Sequence, residues 1–224
     1  MKSKVLLVMM TGLVAILLMA GVAQAVVFFD FQVEHPQFVA DQVTYDGVGG
    51  PLVGTNIEVE SVNVSGAPLN NGFYPITDGL LNFTTGAFDS SGALNWVFNG
   101  GGSITINGNI ALNPLFDIDM SGTFAGNVVA AQNSDPDTTH SIIADFTDTK
   151  GLDWLTLFGI NDPNFIGTMN LSFATPTAIS PGDAINSSVT DVGAVHNTVP
   201  VPPAVWLFGS GLLALVGLRR KVKA

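Results

Sequence analysis

The sequence predicts an all-β domain with the architecture of an antiparallel β-sandwich or jelly roll. Two observations lead to this fold class, and a third concerns its stability. Apolar and polar residues alternate along several short segments, as is typical of half-buried strands. Turn-forming Gly, Asn, Asp and Pro residues separate these segments, and the 224-residue chain contains 25 Gly and 12 Pro. The chain has no cysteine, so its stability cannot depend on disulfides. A β-solenoid is the alternative fold, because Asn-Gly, Ser-Gly and Gly-Gly turns recur along the chain.

Two segments show the alternation most clearly. In residues 103–110, Ile104, Ile106 and Ile110 share one face, and Ser, Thr and Asn occupy the other. Residues 165–173 repeat the pattern, and their apolar face is formed by Phe165, Met169, Leu171 and Phe173. Both segments are predicted to be strands with one face in the core.

Shorter patterns predict the other strands. They cover residues 26–33, 37–45, 56–64, 80–83, 94–98, 121–129 and 141–146. In residues 56–64 the apolar phase slips between Val59 and Val62, which predicts a β-bulge.

A helical segment and a flexible segment are also predicted. Leu152, Leu155 and Phe158 have a near-helical spacing, so a short helix or turn is expected within residues 150–158. The Asn-Asp-Pro-Asn sequence that follows is predicted to form a turn. One acidic β domain is expected over residues 26–174. Residues 175–198 are rich in Thr, Ser, Pro, Gly and Asn, and we expect them to form a flexible stalk.

The first 25 residues have the pattern of a secretory signal peptide. Lys2 and Lys4 precede an apolar run, and Ala23-Gln24-Ala25 supplies the small residues that signal peptidase requires. We therefore expect the export machinery to translocate the chain and signal peptidase to cleave after Ala25. An uncleaved N-terminal anchor is the alternative.

The C-terminal segment, residues 199–224, has the pattern of a membrane-sorting tail. Its proline-rich motif comprises Val199, Pro200, Val201, Pro202, Pro203 and Ala204. Residues 204–218 are almost entirely apolar, and as a helix they would extend ~22 Å, short of the hydrocarbon core of about 30 Å. A basic cluster follows, namely Arg219, Arg220, Lys221 and Lys223. Its charges favour a cytoplasmic end and export of the rest of the chain. A simple C-terminal transmembrane anchor is the alternative.

The tail resembles that of the PEP-CTERM proteins, and more closely their Val-Pro-Leu-Pro-Ala variant. The likeness rests on the Pro-x-Pro motif at Pro200 and Pro202, the short apolar helix and the basic end. Val201 stands where the main family has Glu, and Pro203 stands where the variant usually has Ala. The resemblance implies processing by an exosortase in the inner membrane, followed by release or attachment at the cell surface.

The charge of the central region excludes several kinds of partner. Lys150 is the only Lys or Arg between residues 26 and 200, and the same region contains all 18 acidic residues, so one cation minus 18 acids gives a formal charge of −17. Such a surface repels nucleic-acid phosphates and anionic lipids. Divalent cations remain plausible partners of this region, and exopolysaccharide is a partner that the family resemblance suggests.

Close pairs of acids are the candidate metal ligands. Asp135 and Asp137 lie in an Asn-Ser-Asp-Pro-Asp loop, where clustered carboxylates could bind Ca²⁺. The alternative is a solvated acidic surface, and no other cofactor is predicted. Of the three histidines, only His140 has acidic neighbours, and a solvated loop is its expected environment.

The sequence has no recognised catalytic motif. It lacks a Gly-x-Ser-x-Gly elbow, a His-Glu-x-x-His helix and a phosphate-binding loop, so no catalytic residue is predicted. Trp96 and Trp154 are expected in the core, whereas Tyr74 is the better candidate for exposure. We expect an exported, non-enzymatic surface or extracellular-matrix protein of a biofilm. The alternative function is a Ca²⁺-assisted glycan-binding module associated with exopolysaccharide.

Overall fold

The computed structural model describes residues 26–33, 42–110, 112, 116–187 and 189–199. The predicted signal peptide lies outside these ranges, as do the sorting tail beyond Val199 and part of the predicted strand 37–45. The described residues form thirteen strands and one helix. Their bounds are β1 Phe28–Val33, β2 Gln42–Tyr45, β3 Pro51–Glu58, β4 Ser61–Ser65, β5 Gly72–Ser91, β6 Asn95–Phe98, β7 Gly101–Ile110, β8 Phe116–Phe124, β9 Val128–Gln132, β10 Asp137–Lys150, α1 Leu152–Phe158, β11 Asn164–Ile179, β12 Ile185–Ser187 and β13 Val189–Thr198.

The prediction of an antiparallel all-β protein is confirmed. Every strand pairing among the described residues is antiparallel, whereas the coils of a parallel β-helix stack in the same direction. Within the described part of the chain, the single helix has seven residues, and no helix there has the length and apolarity needed to cross a bilayer.

The strands form one continuous hydrogen-bonded network. Their order is β12-β2-β3-β5-β4-β1-β13-β11-β10-β8-β7. The last strand of this order, β7, also pairs with β5. The pairings that run from β5 through β4, β1, β13, β11, β10, β8 and β7 therefore return to β5 after eight strands. Two further strands, β6 and β9, pair with each other and with β5 and β10 respectively. The inward faces of these strands share one hydrophobic cluster.

The two clearest sequence patterns produce the expected strands. In β7, Ile104, Ile106 and Ile110 are fully buried. In β11, residues 165–173 alternate between buried positions and exposed or half-buried ones. Period-two patterning therefore determines which face of each strand enters the core.

Two predicted strands have different bounds in the structure. Residues 56–64 are divided between β3 and β4, because the chain leaves the ladder at Val59 and Glu60. The Val59 amide donates to the carbonyl of Gly79 at 3.0 Å, where the facing strand β5 is itself irregular. Residues 121–129 are not one strand but β8, a turn at residues 125–127 and β9. An Ala-Gly-Asn sequence forms this turn, and such residues favour reversals.

The short helix predicted near residues 150–158 is confirmed as α1. It buries Trp154, Leu155 and Phe158 on one face. It ends at Gly159, whose left-handed backbone (φ 70°, ψ 30°) lets the amide of Ile160 donate to the carbonyl of Leu155 at 2.8 Å. The helix thereby places Trp154 and Phe158 against the aromatic ring of Phe29.

The structure corrects the expectation of a flexible stalk over residues 175–198. This interval contains the end of β11, β12 and the ten-residue β13. β13 pairs with β1 on one side and with β11 on the other, so it is an interior strand. Its hydrogen bonds come from strands distant in sequence, and a polar composition therefore does not prevent its order. The folded domain consequently continues to Thr198.

Candidate functional site

Three polar side chains lie together inside the apolar core. Asp148, Lys150 and Asn197 have relative exposures of 4%, 5% and 0%. Asp148 is the only buried acid and Lys150 the only buried Lys or Arg among the described residues. Buried charges are rare because they lose their hydration, so this cluster is the most unusual chemical feature of the domain.

Strand alternation directs all three side chains inward. Phe146, Asp148 and Lys150 occupy successive buried positions of β10. Asn197 lies on β13, which is separated from β10 by β11. The register aligns Phe146 with Gly167 of β11, and Gly167 in turn with Asn197.

Two glycines leave the space that the cluster occupies. A Cβ atom on Gly167 would lie 2.5 Å from the amide nitrogen of Asn197 and would overlap the ring of Phe146. A Cβ atom on Gly122, which faces Asp148 across the β8–β10 ladder, would lie 2.8 Å from the Cβ of Asp148. Any larger residue at either position would displace the polar side chains or the backbone.

The carboxylate of Asp148 joins the other two side chains. Its Oδ2 accepts a hydrogen bond from the Lys150 Nζ at 2.6 Å. Its Oδ1 accepts one from the Asn197 Nδ2, also at 2.6 Å. Each oxygen of a single carboxylate thus holds one nitrogen, and charge-assisted bonds of this length are strong.

Aromatic rings surround the ammonium group of Lys150. Its Nζ lies 4.2 Å from the ring centroid of Phe165, 5.5 Å from that of Phe29 and 5.9 Å from that of Phe31. The ring of Trp154 stacks on Phe31 with centroids 5.8 Å apart. These contacts provide cation–π attraction while excluding water from the amine.

Burial shifts both ionisable groups of the pair toward their neutral forms. It lowers the pKa of Lys150 to about 8, although Asp148 opposes the shift. Burial likewise raises the pKa of Asp148, and Lys150 opposes that shift. Burial therefore brings the two pKa values closer together and lowers the cost of moving a proton from Nζ to the carboxylate, which would leave a neutral amine beside a carboxylic acid.

Two buried polar atoms close to this region lack hydrogen bonds. The Oδ1 of Asn197 and the Nε1 of Trp154 find no partner within the part of the chain that the structure describes. Unpaired buried polar groups are costly, so the carboxamide of Asn197 is only half satisfied by Asp148. The cluster thus brings together a lysine amine, a carboxyl group and a side-chain amide whose carbonyl oxygen accepts no hydrogen bond from the described residues.

The predicted metal ligands lie elsewhere, in an exposed loop. The Oδ1 of Asp137 accepts the backbone N–H groups of Thr138 at 2.7 Å and Thr139 at 3.2 Å. Its Oδ2 accepts the amide of Ser134 at 3.3 Å, and Asp135 is exposed nearby. The hydrogen bond from Thr139, followed by the one from Thr138, lowers the pKa of Asp137. No group of three or more His, Asp or Glu that could hold a metal occurs among the described residues.

His140 has a different environment from the one predicted. It is 2% exposed, and its ring stacks on Phe173 with centroids 5.1 Å apart and meets Trp96 edge-on at 5.6 Å. Its Nε2 lies 3.1 Å from the hydroxyl of Thr175, and burial lowers its pKa. The expectation of a solvated loop was wrong because His140 occupies an inward position of β10.

His196 lies in β13 rather than in a stalk. Its Nδ1 is 2.9 Å from the Oδ1 of Asp30, and its ring stacks on Phe28 with centroids 5.5 Å apart. The third histidine, His35, falls outside the described residues. The two described histidines therefore differ, since His140 is buried and His196 pairs with Asp30 at a partly exposed position.

The aromatic residues follow the sequence predictions in part. Trp96 and Trp154 are buried, as expected, and the Nε1 of Trp96 donates to the carbonyl of Asp183 at 3.0 Å. Tyr74 is only half-exposed, because its ring packs edge-on against Phe158 and its hydroxyl donates to the carbonyl of Asn70 at 2.7 Å. It does not form an open platform for a sugar ring.

A shallow depression of about 420 Å³ lies over β8, β10 and β11. Most of its lining side chains are hydroxyls or amides, and the residues are Ser121, Gly122, Thr123, Thr147, Asp148, Thr149, Asn164, Phe165 and Ile166. Asp148 is its single ionisable residue, and both of its oxygens are already bound by Lys150 and Asn197. The accessible surface of the depression is mostly apolar, and it offers no available acid or base.

The predicted sorting residues contribute only one described position. Val199 extends β13 by donating its amide to the carbonyl of Val27 at 3.3 Å. The proline motif from Pro200 onward, the basic cluster and the signal cleavage residues Ala23 and Ala25 lie outside the described residues. Comparisons with protein-family models, with curated proteins and with solved structures give no match to this chain.

Sequence reasoning missed the buried cluster. It ended the predicted strand at residue 146 and placed Lys150 in the segment expected to form a short helix or turn. One signal was available, because Phe146, Asp148 and Lys150 continue the alternation that Ile142 begins. That alternation places both charges on the apolar face, although charged residues usually occupy the other face.

Proposed function

We propose that this chain is an exported, non-enzymatic surface or extracellular-matrix protein that an exosortase processes at its C-terminal tail. The signal peptide directs export, and residues 204–218 hold the chain in the inner membrane through a short transmembrane helix. Cleavage in the proline-rich motif then releases the domain or attaches it at the cell surface. The basic cluster that begins at Arg219 remains on the cytoplasmic side.

The junction between the domain and the tail is the observation that carries this proposal. β13 ends at Thr198, and Pro200 follows after one residue. Proline cannot continue a strand ladder or a helix interior, so the sequence of the motif separates an interior strand from the apolar segment. This arrangement suits a folded cargo joined to a cleavable anchor.

The distribution of charge supports an extracellular role. The only Lys or Arg of residues 26–199 is Lys150, which is buried. Apart from Asp148, every acid whose burial the structure describes is exposed or partly exposed, so this surface of the domain carries predominantly negative charge. Such a surface stays soluble and repels nucleic acid and anionic membranes.

We further propose a sandwich arrangement for the domain. Long strands favour it, because β5 pairs first with β4 and then with β3, and likewise first with β7 and then with β6. In the same way, β10 pairs with β9 in its first half and with β8 in its second half. Two packed layers that share such long strands would enclose the single core.

Mass analysis of membrane, surface and medium fractions tests the sorting proposal. We expect a mature chain that begins at Val26 and ends near Pro202. Replacing Pro200 and Pro202 with Ala should leave the full tail in place and retain the protein in the inner membrane. Pro203→Ala is the matched control, because it introduces the residue usual in the resembled variant and should still be processed. Normal surface delivery of the double variant would overturn the proposal.

A further inference from the structure

We propose that the side chains of Lys150 and Asn197 become joined by an intramolecular isopeptide bond, with Asp148 as the group that transfers protons between them. The bond would connect β10 to β13 through the core. This inference depends on the buried cluster alone and not on the sorting of the tail.

The bridging carboxylate is the geometric basis of the proposal. It binds Nζ of Lys150 and Nδ2 of Asn197 at 2.6 Å each, one on either oxygen. The two oxygens belong to one rigid group, so the amine and the amide are neighbours around it. Holding reactants in this way replaces a bimolecular encounter by a local movement of side chains.

The surroundings of Lys150 favour a reactive amine. Only a neutral amine has the lone pair needed for attack, and the loss of hydration on burial lowers the pKa of Lys150 to about 8 despite its cation–π contacts with Phe29, Phe31 and Phe165. The side chain of Lys150 is 1% exposed and that of Asp148 is 0% exposed. Water is therefore excluded as a competing nucleophile.

The reaction balances without any further reactant. Lys150 first passes a proton from Nζ to Asp148, and the neutral Nζ attacks Cγ of Asn197. Asp148 returns that proton to Nδ2 and accepts a second proton from Nζ. The Cγ–Nδ2 bond then breaks and ammonia leaves. One C–N bond has formed and one has broken, no group is oxidised or reduced, and the second proton stays on Asp148, which the product holds as a neutral carboxylic acid beside the new amide.

Formation of the isopeptide bond removes part of the free-energy cost of burying charged and unpaired groups in the cluster. The ammonium charge disappears from the core, and a neutral amide replaces it. A protonated Asp148 can donate a hydrogen bond to the amide oxygen, which has no partner among the described residues before reaction. Burial of Asp148, which favours its protonated form, fits this role.

The bond would reinforce the strand that leads to the tail. β13 is an interior strand, and it ends at Thr198 directly before the proline motif. A covalent link from Asn197 to β10 would carry a pulling force from the C-terminal end into the core without relying on hydrogen bonds alone. The link therefore suits a protein that is attached through this end.

Peptide mass mapping of the folded full chain is the decisive experiment. We expect a branched peptide in which the segment containing Lys150 is bound to the segment containing Asn197, lighter than the sum of both by one ammonia. A folded wild-type chain with both segments unlinked would overturn the proposal. Loss of one water instead would indicate a bond between Lys150 and Asp148 and would also overturn it.

Variants identify the participating groups. Lys150→Met, Asn197→Ala and Asp148→Asn should each abolish the branched peptide, whereas Asn170→Ala on the exposed face of β11 should retain it in full. Circular dichroism checks that each variant is folded. A folded Asp148→Asn variant that is still fully linked would overturn the role of Asp148. Ammonia loss that persists in Lys150→Met would identify an unrelated succinimide and would count against the link. If a variant does not fold, the wild-type peptide map still decides.

Discussion

Asp148 and Asn197 are 49 residues apart in sequence, yet the Nδ2 of Asn197 donates to the Oδ1 of Asp148 at 2.6 Å in the core. The contact crosses β11, which lies between β10 and β13. It is possible because Gly167 of β11 has no side chain at the point where the two residues approach. A glycine, an acid and an amide on three strands thus form one unit.

Substitution of Gly167 tests this unit. A Cβ atom at this position would overlap the ring of Phe146 and crowd the amide of Asn197. We expect Gly167→Ala to lower the free energy of unfolding by about 1–3 kcal/mol, the usual cost of overpacking. It should also reduce the yield of the proposed link, because Asn197 is displaced. Urea unfolding and peptide mapping measure the two effects.

Gly126→Ala is the matched control for this substitution. A Cβ atom on Gly126 would meet no atom within 4 Å, and the residue lies in the turn between β8 and β9. The free energy of unfolding of Gly126→Ala should stay close to that of the wild type. If Gly167→Ala were as stable as the wild type, the core would accommodate the added methyl group. That result would contradict the prediction from the close contacts at Gly167.

Removal of the buried cation should have a pH-dependent effect. Lys150→Met leaves Asp148 in the core without its ion pair, and breaking such a pair costs about 3–5 kcal/mol. Burial already raises the pKa of Asp148, and loss of Lys150 removes the charge that holds this pKa down. The native variant therefore binds a proton more readily than the unfolded chain, so its stability rises as the pH falls.

Urea unfolding over a range of pH measures this effect. The deficit of Lys150→Met relative to the wild type should be largest near neutral pH and should shrink as the pH falls toward the unfolded Asp value of about 4. The double variant Asp148→Leu/Lys150→Met has no buried carboxyl group, so its deficit should be smaller at neutral pH and should lack this rescue by acid. Since both variants lack the proposed link, their comparison isolates the carboxyl group. A constant deficit at every pH would contradict the prediction.

The loop of the predicted calcium site should respond to pH in the opposite direction, because its contribution to stability decreases as the pH falls. Asp137 accepts backbone N–H groups of Ser134, Thr138 and Thr139, and these bonds lower its pKa. The native state therefore favours the ionised carboxylate. The resulting stabilisation is present above the unfolded pKa and is lost as the pH falls through the lower native value.

Thermal melting with and without excess chelator tests this loop. We expect Asp137→Ala to lower the melting temperature even in chelator, because it removes the acceptor of the turn. Asp135→Ala changes an exposed side chain and should have a smaller effect. Calcium binding at the pair would instead require chelator to lower the melting temperature of the wild type but not that of a variant lacking both carboxylates.

Local patterning allowed much of the sheet to be predicted. Ile104, Ile106 and Ile110 alternate with polar residues, so their strand and its buried face could be inferred from neighbouring residues alone. The order of β13 could not be inferred in this way, because its stability comes from pairing with β1 and β11. Its neighbours in the sheet are distant in sequence, and its own composition is polar.

The candidate site could not be predicted from the sequence for a similar reason, because it brings together residues that are distant from one another in the chain. Lys150 is the only basic residue of the domain, and a lone Lys is normally exposed. Its burial depends on Asp148, on the rings of Phe29 and Phe165, and on Asn197, which four different strands supply. No spacing within one segment encodes such a convergence.

Truncation distinguishes an interior β13 from a stalk. A chain that ends after Val199 keeps both ladders of β13, including six paired positions with β1 and eight with β11. A chain that ends at residue 188 loses these ladders, the fully buried Val195 and the amide of Asn197. It also exposes the edges of β1 and β11, and unpaired edges promote aggregation.

We expect the chain that ends after Val199 to melt cooperatively at nearly the temperature of the full protein and the chain that ends at residue 188 to remain unfolded or aggregate. Circular dichroism and thermal melting measure both outcomes, and a cooperative melt of the second chain at an unchanged temperature would restore the stalk interpretation.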